Sequence, residues 1–337
     1  MKNTPVIRRP WITFAVVAAA LLVATVAAFI AGASSVQPQD VWALLTGGEI
    51  SASARSILLN VRLPRVLAAL LSGAALAVAG ALIQAVLDNP LASPNIIGIN
   101  SGAGLFVLLA ASLFPSLLWL PPLAAFAGAL LSALVVFGIS MGTSASRLTV
   151  ILSGIAITAV FGAGINTVLI VSPDAYFSSA LFLVGGFTRG IPISDIIWAA
   201  CLILPALLLS FIISGKLNIL ALGDQTAHSL GMRVGITRLA LLALAALLAG
   251  VAVSVAGLLG FVGLIIPHLV RFITGHDNRV VIPLSALGGA FFVIACDTCA
   301  RLLFYPYELP VGIMMAFLGG PFFVYLIVKN RKRGLDD

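Results

Sequence analysis

Few side chains in this sequence could do chemistry, and their spacing narrows what that chemistry would be. Asp297 sits inside an apolar run with Arg301 four residues on, a helical spacing that puts carboxylate and guanidinium on one face and neutralises the acid. A proton relay, the other use of such an acid, would need it unpaired. Val61-Arg-Leu-Pro-Arg65 places two arginines at the head of another apolar run. A guanidinium fork there can hold a carboxylate by two hydrogen bonds, or serve only as a snorkelling anchor at the membrane interface. His268 has no second ligand at i+3 or i+4, and Cys296-x-x-Cys299 has no cluster of metal-binding residues nearby. No metal site is therefore expected, and Cys201, Cys296 and Cys299 read as small packing residues. There is no His-Glu-x-x-His, no paired-acid constellation and no Gly-x-x-x-x-Gly-Lys-[Ser/Thr]; Gly215-Lys216 lacks both the preceding glycine and the hydroxyl residue. No catalytic residue is expected, and no nucleotide site on this chain.

The longest stretch with polar residues of every kind runs from Lys216 to Arg238, between two long apolar runs. Leu217, Leu220 and Ala221 recur at helical spacing. Asp224 follows Gly223 where a short helix would start, Ala227 and Leu230 continue the apolar face, and Gly231 supplies a stop. The pattern predicts two short helices lying across a membrane surface, a solvated loop being the plain alternative. Lys216, Arg233 and Arg238 flank the stretch and put it on the cytoplasmic side.

The elements that must position these residues are membrane helices. Hydrophobic residues make up 61% of the 337 and charged ones 9%, with mean hydropathy +1.19, far from the roughly 25% charged of a soluble domain. The fold class is all-α, a polytopic membrane protein of about ten transmembrane helices in one domain, residues 1–337. Apolar runs fall at about 11–32, 65–87, 95–113, 118–140, 148–171, 191–214, 238–256, 258–273, 280–303 and 309–328. The first is too long for a cleaved signal core and reads as a helix that stays. Thirteen of the eighteen Lys and Arg residues fall on one side, leaving Arg55, Arg62, Arg65, Arg189 and Arg301 on the other. That bias places both termini in the cytoplasm, and it accounts for the net charge of +7 without nucleic acid.

Gly73 and Gly80 share a helix face, as do Gly98 and Gly102, and such faces let backbones meet. Gly257, Gly260 and Gly263 at steps of three predict close contact or a partly broken helix. The polar turn from Asp88 to Pro94 on the cytoplasmic side could close a pore from below or be an ordinary hairpin. Residues 34–60 and 172–190 read as external, the latter long enough for a short surface helix.

Arg62-Leu-Pro-Arg65, Asn89-Pro-Leu-Ala-x-Pro94 with Gly98, Leu220-Ala-Leu-Gly-Asp224 through Leu230-Gly231, Gly260-Phe-x-Gly-Leu-x-x-Pro-His268 and Glu308-Leu-Pro-x-Gly312, in this order, resemble the permease subunits of ABC importers for iron–siderophore, haem and cobalamin, the FecCD type. The resemblance covers nearly the whole chain. It implies a dimer of permeases, the second copy identical, in the lipid of the cell's inner membrane. An ATP-binding subunit dimer that holds ATP and Mg, and an extracytoplasmic substrate-binding protein, would complete the importer. It makes 217–234 the segment that couples to the ATPase through Leu220, Ala221, Leu222, Gly223, Asp224, Ala227, Leu230 and Gly231. It makes Asn89, Pro90 and Leu91, with Ala145 and Ser146, the cytoplasmic gate. It makes Arg62, Arg65 and Arg301 the dock for the binding protein. A ferric siderophore is the expected cargo, with haem or cobalamin as alternatives. The rival class, an ion-driven secondary transporter, would need unpaired acids or broken-helix ion sites.

Overall fold

The computed structural model describes residues 10–31, 36–117, 119–142, 147–303 and 307–333, and every regular element among them is helical. In chain order these are α1 (Pro10–Ile30), α2 (Pro38–Thr46), α3 (Ala52–Ser56), a π-helical turn (Ile57–Arg62), α4 (Leu63–Leu87), a 3₁₀ turn (Pro94–Ile97), α5 (Ile99–Leu113), α6 (Leu120–Gly142), α7 (Arg147–Val171), α8 (Pro173–Val184), α9 (Ile193–Leu220), α10 (Asp224–Ser229), α11 (Val234–Ala256), α12 (Val262–Thr274), α13 (Asn278–Leu302) and α14 (Val311–Arg333).

Each of the ten predicted apolar runs falls on one of these helices. Among the described residues, seven stretches are long and apolar enough to cross a membrane unaided: α1, the continuous helix from Ala52 to Leu87, α6, α7, α9, α11 and α13. α5 and α12 are shorter apolar helices, as is α14 over Val311–Phe322. α12 has 13 residues and is about 20 Å long, short of a hydrocarbon core of about 30 Å. Its far end therefore meets the rest of the protein at membrane depth.

α4, α11 and α13 form the centre and α1 and α7 the periphery: over the most apolar 18 residues of each, 78%, 72% and 61% are buried in the first three, against 11% and 17% in the other two. Glycine explains how the central helices come so close. A Cβ on Gly73 would lie 2.4 Å from the Gly289 carbonyl oxygen on α13, and one on Gly80 would lie 1.8 Å from that of Gly263 on α12. Gly102 meets Gly128 of α6 in the same way. The two predicted small-residue faces are both used, and the face of α4 serves two different partners.

One expectation changes and two gain detail. Residues 34–60, read as an external segment, carry regular structure. They contain α2, whose Asp40 accepts from the Gln37 N–H, then α3 and the π-helical turn that runs straight into α4. The 172–190 stretch holds α8, the short helix expected there: most of its residues are exposed, Ala175, Ser179 and Phe182 form its buried stripe, and its end joins a backbone junction. There the Gly186 N–H donates to Ala256 (2.8 Å), the Leu258 N–H to Phe182 (3.0 Å) and the Gly312 N–H to Gly185 (3.0 Å). Lastly, only Cys296 is buried, while Cys201 and Cys299 are exposed, so two of the three cysteines are not core packing residues.

Candidate functional site

One charged cluster lies where α4 begins and α13 ends. The Arg65 guanidinium donates from Nε to both oxygens of Asp297 (3.2 and 3.1 Å), from Nη2 to its Oδ1 (2.9 Å), and from Nη1 to Oε2 of Glu308 (2.7 Å). Arg301 approaches the same carboxylate, Nε to Oδ2 at 3.2 Å, and donates to the Ala31 carbonyl (2.8 Å) and the Ala28 carbonyl (3.2 Å). Arg62 donates to the carbonyls of Phe29 and, at 3.1 Å, Ile30. Both arginines thus satisfy carbonyls at the end of α1, which lack partners within their own helix. The π turn just before α4 shifts the helical register at Arg62, and such turns often mark functional segments.

The predicted i, i+4 pair of Asp297 and Arg301 is present. The contact with Arg65, 232 residues away in sequence, was not legible from spacing. All three arginines expected to dock a partner are buried, with exposures of 4, 9 and 4% for Arg62, Arg65 and Arg301. Glu308 is the more open member, its side chain 32% exposed.

The opposite end of α4 carries the second group. Asp88 caps α4 in the left-handed conformation, and the Asn89 side chain accepts from the Leu91 N–H at 2.9 Å. Pro90 and Leu91 are exposed, while Ala92, Ser93 and Pro94 turn inward. The following 3₁₀ turn lies against α7: a Cβ on Gly154 would sit 1.9 Å from the Ile96 carbonyl oxygen. Ala145 and Ser146 lie outside the described residues.

Gln84, a lone amide in an Ala-rich helix, bridges α4 to α12. It donates to Gly263 (3.2 Å) and Leu264 (3.4 Å) and accepts from Arg271. A lone amide in an apolar run was the available signal, since it needs a partner inside the membrane.

The polar segment contains one short helix, not two. Leu217 and Leu220 are the buried last turn of α9, and only α10 stands alone. Asp224 opens α10, and Ala227 is its buried residue. Gly231 stops it with φ +80°: the Gly231 N–H returns to His228 (2.9 Å) and the Met232 N–H to Ala227 (3.0 Å). That paired closure needs a left-handed residue, which is why glycine stands there. Ala221, Leu222, Asp224 and Leu230 are exposed, Leu222 and Leu230 by 59 and 62%.

Two clasps tie this segment to the bundle. Arg238 of α11 donates to Asp224 at 2.9 and 3.0 Å. Asn218 of α9 accepts from the backbone and side chain of Asn278 (2.8 and 3.0 Å) and donates to Asp277 (2.6 Å). Asp277, the N-cap of α13, is exposed. Its carboxyl is held below the usual range first by the Asn218 side-chain bond and then by the Arg279 backbone N–H.

No group of three or more His, Cys, Asp or Glu arranged to hold a metal occurs among the described residues. His268 lies within α12, edge-on to Phe322 at 6.4 Å between ring centres. An open cavity of about 1180 Å³ lies at the Arg65 end, between the α5–α6 connection, the α7–α8 corner and the α8–α9 loop. Among the described residues the arrangement offers a long-range ionic cluster at one end, a tethered, exposed short helix at the other, and closely packed helices between.

The proteins to which this chain is similar include transport permeases. The chain is 41% identical over 283 residues to the hemin transport system permease protein HmuU of Yersinia pestis, covering 82% of this chain and 84% of that one. It is 35% identical over 336 residues to the Fe(3+)-citrate import system permease protein YfmE of Bacillus subtilis, covering 97% of each. A solved structure described as an inward-facing metal-chelate type ABC transporter superposes with a TM-score of 0.82 at 28% identity, over 95% of this chain and 99% of that one. The FecCD transport family matches residues 20–329, and the chain belongs to that family.

Proposed function

We propose that this chain is the permease of a binding-protein-dependent ABC importer whose cargo is a ferric siderophore, with haem or cobalamin as the alternative cargoes. The observation that carries the importer reading is α10: six residues, closed by a glycine stop, exposed on all but Ala227 and tied back by Asp224. A helix built to stand out from an otherwise apolar bundle fits a groove on a soluble partner. ATP and Mg belong to that partner, whose nucleotide cycle shifts the permease by binding its states with different affinity.

In this reading the α10 end and both termini face the cytoplasm. Asn89, Pro90 and Leu91, with Ala145 and Ser146, narrow the inner end of the pathway. The Arg62, Arg65 and Arg301 cluster faces outward to the binding protein. In it Arg65 and Arg301 share Asp297, and Arg65 also holds Glu308, so an incoming acid would compete for guanidiniums already arranged to bind carboxylates. Because the guanidiniums lie beneath the surface, such an acid would reach them beside Glu308.

A second, identical copy would pack on α7. Between large apolar residues such as Leu152, Ile155, Val160 and Ile170, its exposed side carries Ala156, Ala159, Ala163, Asn166 and Thr167, small and polar groups on which another helix can pack. The large cavity borders the end of α7, beside that proposed seam.

Reconstitution tests the reading. The chain would be placed in proteoliposomes with the ATP-hydrolysing subunit and binding protein encoded with it, and offered ferric hydroxamate, ferric citrate, haem and cobalamin. ATP-dependent accumulation of a ferric chelate is expected. Accumulation of haem or cobalamin alone would reassign the cargo, and uptake driven by an ion gradient without ATP would overturn the importer.

A further inference from the structure

Arg238 lies outside every motif that marks the family resemblance, yet it stands where three elements meet. Its guanidinium grips Asp224, the first residue of α10, with Nη2 within 3.0 Å of both carboxylate oxygens. The arginine side chain is 7% exposed and the aspartate 52%. A charge is therefore kept under the surface to hold one that remains wet. Behind the guanidinium, the arginine borders a small cavity that it shares with Phe137 and Ser140 of α6, Val150 of α7 and Leu242 of α11. α6 ends and α7 begins here, so the side chain that holds α10 also lines, with the ends of both helices that flank the 143–146 connection, one small cavity.

α10 has few other holds on the bundle. Of its six residues only Ala227 is buried, and Gln225, Thr226, His228 and Ser229 are exposed. Ala227 fixes the distance of α10 from the bundle but, as a methyl contact, transmits little sideways force. The ion pair fixes its tilt and direction.

We propose that Arg238 is the positioning residue through which α10 moves the α6–α7 end of the bundle, with Asp224 as its grip. The proposal rests on the importer reading, in which α10 is the element the ATPase displaces. Arginine suits the task better than lysine, because its planar head grips the carboxylate by two hydrogen-bonding contacts from a buried position beside the α6 and α7 ends.

The test uses the assembled complex of permease and ATP-hydrolysing subunit in proteoliposomes. Cys201, Cys296 and Cys299 are replaced, and a reporter thiol is placed by Leu148→Cys, at an exposed position in the first turn of α7. The readout is the rate of labelling by a membrane-impermeant maleimide with and without ATP and vanadate. In the parent complex the two rates should differ about fivefold or more, the range of ordinary coupling energies. In Arg238→Met the ratio should fall to about one, while the ATP-hydrolysing subunit still co-purifies at the parent ratio, and Arg238→Lys should restore part of the difference. Asp224→Asn should give the same loss, and the double variant should lose no more than Arg238→Met alone, because two members of one link are not additive. Equal labelling rates in the parent complex would overturn the proposal, as would an unchanged ratio in Arg238→Met or independent losses in the double variant. Should Arg238→Met fail to assemble, Asp224→Asn decides: loss of the ratio supports the link and retention overturns it. Failure of the parent permease to bind the ATP-hydrolysing subunit at all would strike the importer reading instead.

Discussion

At the Arg65 end, Arg65, Asp297 and Arg301 of α4 and α13 close on one another below the surface, with the more open Glu308 at their edge. At the α10 end each clasp keeps one carboxylate wet: Asp224 against Arg238, Asp277 against Asn218. The difference is one of stiffness. Charges taken out of water cost several kcal/mol each unless they are fully paired, so the first cluster opens only at high cost. An exposed carboxylate exchanges its partner for water at little cost, so the second end can rearrange. Between them α4 and α13 are locked at Gly73 and Gly289, and the molecule reads as a rigid central strut with an articulated foot.

The largest effect should come from the stiff end. Asp297→Asn keeps the shape of the side chain but removes the charge between Arg65 and Arg301, leaving Arg65 to Glu308 and the buried Arg301 guanidinium without the carboxylate it faces. Breaking a buried pair from one side costs about 3–5 kcal/mol. The thermal unfolding midpoint in detergent should fall steeply, or the protein should fail to accumulate. Asp224→Asn, at the wet end, should cost about 0–1 kcal/mol of stability. Equal drops in the two variants would erase the distinction between the ends.

The sequence carried the strut better than the clasps. The apolar runs located the helices to within a few residues, because a membrane helix needs a long, continuous pattern. The glycine pairs of α4 and α5 announced close packing, and Asp297 with Arg301 announced itself at spacing four. Nothing local announced that Arg65 would lie on Asp297 or Asn218 on Asp277, since those contacts depend on which helices become neighbours. The segment around α10 was legible as an exposed helix with a glycine stop. Its first half was misjudged because α9 runs on through Leu220, and an apolar periodicity looks the same in a continuing helix as in a new one.

A middle-sized effect separates two glycines. Gly289→Ala would put a methyl 2.2 Å from the Gly73 carbonyl oxygen, forcing α4 and α13 apart. Overpacking of that kind costs about 1–3 kcal/mol. Gly231 has open space around it, but its φ of +80° penalises a β-branched side chain. Gly231→Val should therefore cost about 1–2 kcal/mol locally, freeing the end of α10. The first variant should lower the unfolding midpoint. The second should leave it nearly in place while reducing uptake in proteoliposomes, and a reversal of that pattern would argue against a strut joined to a foot.

The smallest effect is a titration at the foot. The Asp277 carboxyl is held below its ordinary value by the Asn218 side chain, the Arg279 backbone N–H and the nearby Arg279 charge. A lowered pKa in the folded state means that the bond favours folding when the carboxyl is ionised. The contribution is complete above the unfolded value of about 4 and is lost as the pH falls through the depressed folded value. Asp277 is exposed, so water screens much of this. The measurement is the difference in unfolding midpoint between the parent protein and Asp277→Ala across pH. Groups elsewhere titrate in both proteins and cancel in the difference. The gap should be constant from pH 6 to 8, as the carboxyl stays ionised throughout that range, and should narrow below about pH 4. A gap that widened on acidification would mean that Asp277 favours folding in its neutral form, and the clasp between α9 and α13 would then have to rest on Asn218 and Asn278 alone.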